Sequence, residues 1–278
     1  MNRAGIFKRG SGSLENMDFL IQEPADTYHG KAGQYLSSHR LADFRRNALL
    51  FHKKELGLVE EPDRPAYVLG RAAHVLILEG REAYEQNYAF GGPTNPKTGA
   101  PFGNRTKAFQ EWAGAQGKPV LGDDQALLVE NLYAAVQDHG HARDLLAEGR
   151  AEGVVRTEYR DLPCQGRLDW LHPQHGIVDL KTCENLDWLE MDARSYGYIH
   201  QLAFYRSLVA CAAGENVPVY LIAVEKREPL RCGVWRVGED VLGVAQKDNE
   251  QAIEKLKICR QRDYWPTGYE EIKILDCI

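Results

Sequence analysis

Asp179 and Lys181 stand two residues apart in GIVDLKT (176–182), a short run with β-branched residues that predicts a strand. Strand side chains alternate faces, so this Asp and Lys share one face, about 7 Å apart along the chain, while Val178 and Leu180 face the other way. The preceding predicted strand, CQGRLDWL (164–171), carries Asp169, and His172-Pro173-Gln174-His175-Gly176 joins the two as a hairpin. That hairpin brings Asp169 beside Asp179. Like charges facing each other on a sheet repel, so the pair requires a cation, a shared proton or solvent. A divalent metal meets the need: Mg²⁺ takes oxygen ligands and keeps several waters, so Asp169, Asp179, the main-chain carbonyl of Leu180 and a substrate phosphate complete a shell. Lys181 can then orient or help deprotonate an attacking water and stabilise charge developing on phosphate. An isolated D-x-K tripeptide is abundant, and its ordinary reading is a solvated Asp with a snorkelling Lys.

The surrounding elements must hold these strands. From Ser37, with Ser37 and Ser38 as N-cap candidates, Leu41, Phe44, Ala48 and Phe51 recur at helical spacing. This helix carries Phe44-Arg45-Arg46-Asn47 and Phe51-His52-Lys53-Lys54, a basic stretch interleaved with aromatics that suits a nucleic-acid backbone. A second helix follows Pro65, buries Leu69, Ala72, Ala73 and Leu76, and stops at Gly80. His74 lies at the margin of its apolar face, where a lone histidine is usually a packing residue. Residues 91–107 form a Gly- and Pro-rich insertion loop bearing Lys97, Arg105 and Lys107, and a polar helix spans about 123–148. In the strand VVRTEY (154–159), Glu158 reads either as a further acidic group near the metal or as an ordinary exposed strand residue. A helix with Tyr198, Leu202, Tyr205, Val209 and Ala212 on the 3.6-residue period ends at Gly214, and Gln201 and Tyr205 share one of its faces. Strands at 219–225 and 232–237 and a helix over about 240–260 complete a sheet flanked by helices, of the α/β (α+β) class. Residues 1–30, with GSGS and no periodicity, read as a flexible leader to a single domain over 31–278.

Composition sets the limits. With 278 residues, 44% hydrophobic and 27% charged, the chain is neither disordered nor collagenous. No apolar run reaches the roughly 18 residues of a membrane span and the first residues lack a secretory apolar core, so a cytoplasmic protein without a membrane partner is expected. A net charge of −6 gives no global basic field, so a nucleic-acid partner needs a local basic groove. Six scattered cysteines read as reduced thiols. Cys164, His172, His175 and Cys183 make a zinc set on paper, but the hairpin puts the histidines at its turn and the cysteines at its open end, on the order of 23 Å away. No zinc is expected.

From about Ser37 to Trp265 the chain resembles the PD-(D/E)XK nuclease superfamily, in the branch that holds RecB-type nuclease domains and the exonuclease VIII (RecE-like) proteins of phages and prophages. A helical histidine, an Asp strand, a D-x-K strand and a Gln-x3-Tyr helix occur in order as His74, Asp169, Asp179 with Lys181, and Gln201 with Tyr205. The resemblance implies a restriction-endonuclease-like core with a central mixed sheet, and His74 as a metal ligand, directly or through water. It also implies that Gln201 and Tyr205 line the site and touch the DNA strand near the scissile phosphate, and that Arg45, with Arg46 beside it, takes a terminal phosphate. Mg²⁺ or Mn²⁺ is the expected cofactor. Some relatives hold an iron–sulfur cluster on a tight late cysteine cluster; Cys259 and Cys277 have no third cysteine between them, so none is expected here.

The activity implied is processive 5′-to-3′ digestion of linear double-stranded DNA ends to 5′-phosphate products, exposing a 3′ single strand for recombination. The implied assembly is a homo-oligomeric ring, with Arg45, Arg46, Lys53 and Lys54 lining its channel and a single-strand annealing protein as partner. Alternatives are an endonuclease or nickase of the same superfamily, a non-catalytic DNA-binding recombination accessory protein, or a glycosidase-like hydrolase using Asp169 and Asp179 as acid and base. The last leaves Lys181 and the Gln-x3-Tyr helix without a task.

Overall fold

The computed structural model describes residue 14, residues 16–59 and residues 65–275. Ahead of the first expected helix, Ile21 exchanges both backbone hydrogen bonds with Val154, at 2.8 and 2.9 Å, and α1 (Ala25–Gly30) follows. Met17 and Leu20 are buried in the main core, and the Glu23 carboxylate is paired with Arg156. Leu20 fills the space that Gly153 leaves, since a Cβ on that glycine would lie 2.9 Å from Leu20 Cδ1. Residues 16–30, apart from those contacts, have no period of their own. This corrects the expectation of a flexible leader over 1–30: the segment is tied down as far as it is described, and residues 1–13 lie outside the described residues.

The helix expected from Ser37 is two helices, α2 (Ser38–Arg46) and α3 (Ala48–Glu55). Asn47 breaks it because its side chain competes with helical bonding: the residue sits at φ −164° and its Oδ1 accepts the Leu50 N–H at 2.8 Å, capping the second helix. Next, α4 (Pro65–His74) runs into a π-helical turn, Val75–Glu79, that ends at Gly80 with φ +89°. The helix α5 (Arg81–Asn87) leads to β1 (Ala89–Phe90), which pairs in parallel with β2 (Val120–Leu121). The insertion between these strands is ordered into a small hairpin around Thr94 and Pro101 and then α6 (Lys107–Gln116). The helix expected over 123–148 divides into α7 (Asp123–Asp138) and α8 (Gly140–Leu145), because His139 Nδ1 accepts the Ala142 N–H at 3.2 Å and caps the second.

The central sheet consists of β3 (Arg150–Tyr159), β4 (Leu162–His172), β5 (Gly176–Cys183), β6 (Val219–Glu225) and β7 (Cys232–Arg236), in that spatial order. Neighbours are antiparallel except β5 and β6, which are parallel and joined through α9 (Leu189–Ser195) and α10 (Tyr198–Ala213). The sheet is therefore mixed, as expected. One face is covered by α2, α10 and the last helix, α11 (Glu239–Arg262), where Leu202, Leu208 and Leu256 pack against Val155 and Leu168. On the other, α4 and α7 bring Ala72, Ala73, Leu76 and Leu132 against Val178, Leu180 and Ile222. Coverage on both faces is why β5 and β6 read as nearly continuous apolar runs.

Leu20→Ala is expected to destabilise the protein by about 2–4 kcal/mol, the usual cost of truncating a buried leucine. Urea denaturation measures it: a clearly lowered midpoint places the segment in the cooperative core, and an unchanged one returns it to a leader.

Candidate active site

Strands β4 and β5 are paired only from Trp170 to His172, against Val178 to Gly176. The next opposed positions are Asp169 and Asp179, and there the strands part. Asp169 Oδ2 accepts the Leu180 N–H at 2.9 Å, so a side chain replaces the backbone acceptor that a regular ladder would offer. On the other side of β4, Glu152 sits at φ +56° and drops out of the ladder between the pairs Ala151/Trp170 and Gly153/Leu168. Alternation slips at this point, since Leu168 and Leu171 both enter the same core. Further along, the edge of β4 that β5 has left is taken up by Leu36, which donates to Pro163 O and accepts from Gln165 N, both at 2.9 Å.

Ligand atoms of His74, Glu152 and Asp169 lie within 4.8 Å of one another at the mouth of this gap. His74 Nδ1 is 3.7 Å from Asp169 Oδ2, and the Leu180 carbonyl lies against the imidazole. Asp179 is almost wholly enclosed, with Lys181 Nζ 2.5 Å from its Oδ2, while its Oδ1 accepts no hydrogen bond. Burial and the neighbouring Asp169 push Glu152 up to about 8. Burial likewise raises Asp179 to about 6, against the pull of Lys181, and Asp169 is raised as well. Burial lowers His74 to about 4, leaving its imidazole neutral. Lys181 also suffers from burial, but Asp179 and Asp169 outweigh it and keep the ammonium protonated.

Proton-hungry carboxylates beside a neutral imidazole, with the buried Asp179 Oδ1 lacking a donor, fit a divalent cation of the kind that takes oxygen and imidazole ligands. His74, Asp169, Asp179 and the Leu180 carbonyl are grouped as the sequence suggests. Glu158 is not among them. It is exposed and paired with Pro163, near the β3–β4 turn, six residues and roughly 20 Å along the strand from the gap. Glu152 stands there in its place. Extending the predicted strand back from Val154 to Arg150 would have revealed it, since the hairpin register then sets residue 152 opposite Asp169.

Gln201 is half-buried beside this site and donates from Nε2 to Tyr205 Oη at 2.9 Å. Tyr205 itself is only 4% exposed, and its ring occupies the space left by Gly166, where a Cβ would come within 2.9 Å of Tyr205 Cδ1. The expected DNA contact by Tyr205 is thus corrected: an enclosed phenol cannot meet a strand, and it holds the Gln201 amide instead. Arg45 is half-buried, donating to Asn249 Oδ1 at 2.5 Å, with Nη2 close to Gly197 at the start of α10. Arg46 and Lys53 are exposed, whereas Lys54 is paired with Asp43 at 2.9 Å. His172 Nδ1 accepts the N–H groups of Gln174 and His175 and so fixes the hairpin turn, while Cys164 and Cys183 face the carbonyls of Tyr159 and Val224.

The model of the PDDEXK-like domain of unknown function (DUF3799) matches residues 37–277. The chain belongs to this family. The matched residues include both parted strands, with Asp169 on one and Asp179, Leu180 and Lys181 on the other. Among solved structures, the crystal structure of a "Putative exonuclease" from Eubacterium rectale superposes with a TM-score of 0.66 at 14% identity, covering 93% of this chain and 97% of that one. At that identity the likeness speaks for the fold. No curated protein matches the sequence at a significant level.

A carboxyl raised by burial costs stability once it must ionise. In the unfolded chain Asp179 ionises near its ordinary value of 3.8, and in the folded protein only near 6, so the folded state holds the extra proton between these and loses stability as pH rises through that window. Asp179→Asn is therefore expected to gain on the wild type, in EDTA, as pH rises from about 4 to 6, and to gain no more above about 7. Thermal melts across pH check it; a difference that does not change with pH would show that the carboxyl is not raised.

Proposed function

We propose that this PDDEXK-like domain is a metal-dependent deoxyribonuclease that hydrolyses phosphodiester bonds at the ends of linear double-stranded DNA. The observation that supports the reading is the gap itself: His74, Glu152 and Asp169 converge across it from the Asp179–Lys181 pair. Asp169, Asp179, His74 and Glu152, with the Leu180 carbonyl, would hold Mg²⁺ or Mn²⁺. When bound, the ion supplies Lewis acidity at a phosphate oxygen and lowers the pKa of a bound water. Lys181, kept as an ammonium by Asp179 at 2.5 Å, donates to the attacking water or to a non-bridging phosphate oxygen, where negative charge grows as the P–O bond forms. Gln201, held by Tyr205, offers its amide to the strand without competing for the cation. In-line attack opposite the 3′ oxygen breaks the P–O3′ bond, and that oxygen takes up a proton from solvent, leaving a 5′-phosphate and a 3′-hydroxyl.

The exonucleolytic part of the reading draws on the description of the Eubacterium rectale protein and on the resemblance to exonuclease VIII proteins. A chain of net charge −6 gains little long-range attraction for DNA, so remaining bound through many cycles calls for enclosure, and a homo-oligomeric ring with Arg45, Arg46 and Lys53 toward its channel provides it. Processive 5′-to-3′ digestion then leaves a 3′ single strand for an annealing protein.

Linear duplex labelled at the 5′ or the 3′ end, with closed circular DNA as control, tests the proposal in Mg²⁺, Mn²⁺ and EDTA. Wild type is expected to shorten the linear DNA from its 5′ ends only when metal is present. Asp169→Ala, Asp179→Ala and Lys181→Ala should each reduce the rate by about 10²–10³-fold or more while remaining folded. Full activity of Asp179→Ala in Mg²⁺ would remove the site, and equal cleavage of circles and ends would replace the exonuclease by an endonuclease.

A further inference from the structure

Two ring contacts lead outward from the lysine of the site. Lys181 Nζ lies 5.2 Å from the centre of the Tyr198 ring, and Tyr198 is stacked on Tyr196, with centroids 5.8 Å apart and planes 28° from parallel. Tyr198 is half-buried, whereas Tyr196 is 68% exposed. The backbone fixes this presentation. Tyr196 closes α9 in a right-handed helical conformation, and Gly197, at φ +72°, turns the chain directly into α10. A side chain at that turn would be strained, so the two tyrosines are separated by the one residue type that lets consecutive helices bring their rings together.

A neutral phenol ring offers a flat π face, which recognises another π face rather than a phosphate. The phosphate has its own place beside Lys181 and the carboxylates, and what hangs from it in DNA is a sugar and a base. Stacking on an aromatic ring accepts every base, which suits an enzyme that degrades sequence without choice. Inside a duplex both faces of a base are covered by its neighbours. Only a terminal base, or one peeled from its complement, has a face free for Tyr196. Resting on the nuclease reading above, we propose that Tyr196 is a stacking platform for the unpaired base of the nucleotide next to the scissile phosphate, so that the strand is cut after it has left its partner.

Duplexes carrying 2-aminopurine at the 5′-terminal or the 3′-terminal nucleotide provide the probe, with fluorescence read in EDTA and steady-state digestion read in Mg²⁺. Wild type is expected to quench one of the two probes. Tyr196→Ala should lose the quenching and raise KM about tenfold with little change in kcat, while Tyr196→Phe and Tyr196→Trp, which keep a π face, stay close to wild type. Wild-type digestion that Tyr196→Ala matches in both KM and quenching overturns the platform and leaves the nuclease reading standing. Quenching that depends on Tyr196, from a protein that cleaves no DNA with either metal, keeps the platform and overturns the nuclease reading.

Discussion

One hydrogen bond, from the Leu180 amide to the Asp169 carboxylate, organises the centre of this protein. A regular hairpin would satisfy that amide with a backbone carbonyl and would bury the two aspartates against each other. By accepting the bond with its side chain, Asp169 takes the place of a backbone rung where the β4–β5 ladder ends and the sheet opens. The Leu180 carbonyl, on the same edge as its amide, is released into that opening. His74 enters from the layer of α4 and Lys181 projects toward the layer of α10, so residues from both sides of the sheet meet only because the sheet is parted.

That arrangement is electrostatically costly, and the cost is concentrated. Three carboxylates are held away from water with one ammonium among them, and all three are raised from their ordinary values by burial. Arg167, 2.8 Å from Glu152, and Lys181 offset part of the repulsion. The remainder is what a divalent ion would relieve. Elsewhere acidic groups are treated differently: Glu225 is held down at about 2 by Arg231 and backbone amides. The contrast separates a carboxylate whose partners outweigh its burial from three whose partners, Lys181, Arg167 and the Leu180 amide, do not.

The parts legible in the sequence were those carried by periodicity and by motif order. The hairpin from Cys164 to Thr182, the helix closed by Gly214 and the nearness of Asp169, Asp179 and Lys181 follow from alternation and spacing, whereas His74 joins them only through the motif order of the family it resembles. The parts that were not legible depend on single side chains overriding a pattern. Asn47 interrupts an apolar period and His139 a polar helix because a capping bond competes with the helix, and periodicity has no sign for that. Glu152 was hidden because the apolar, β-branched run that marks β3 begins only at Val154, two residues after it. The Gln201–Tyr205 pair was correctly placed on one face, but which of the two reaches the solvent depends on Gly166, on a different strand.

The chain before α2 completes the sheet: Ile21 forms a rung on β3, and Leu36 fills the edge of β4 that the parting exposes. The family match begins at residue 37, after both. The boundary of shared sequence is therefore not the boundary of the folding unit. A polypeptide begun at residue 37 would present unpaired edges on two adjacent strands, and such edges template association between chains. Insolubility of that fragment would report the missing rungs rather than any defect in the catalytic core.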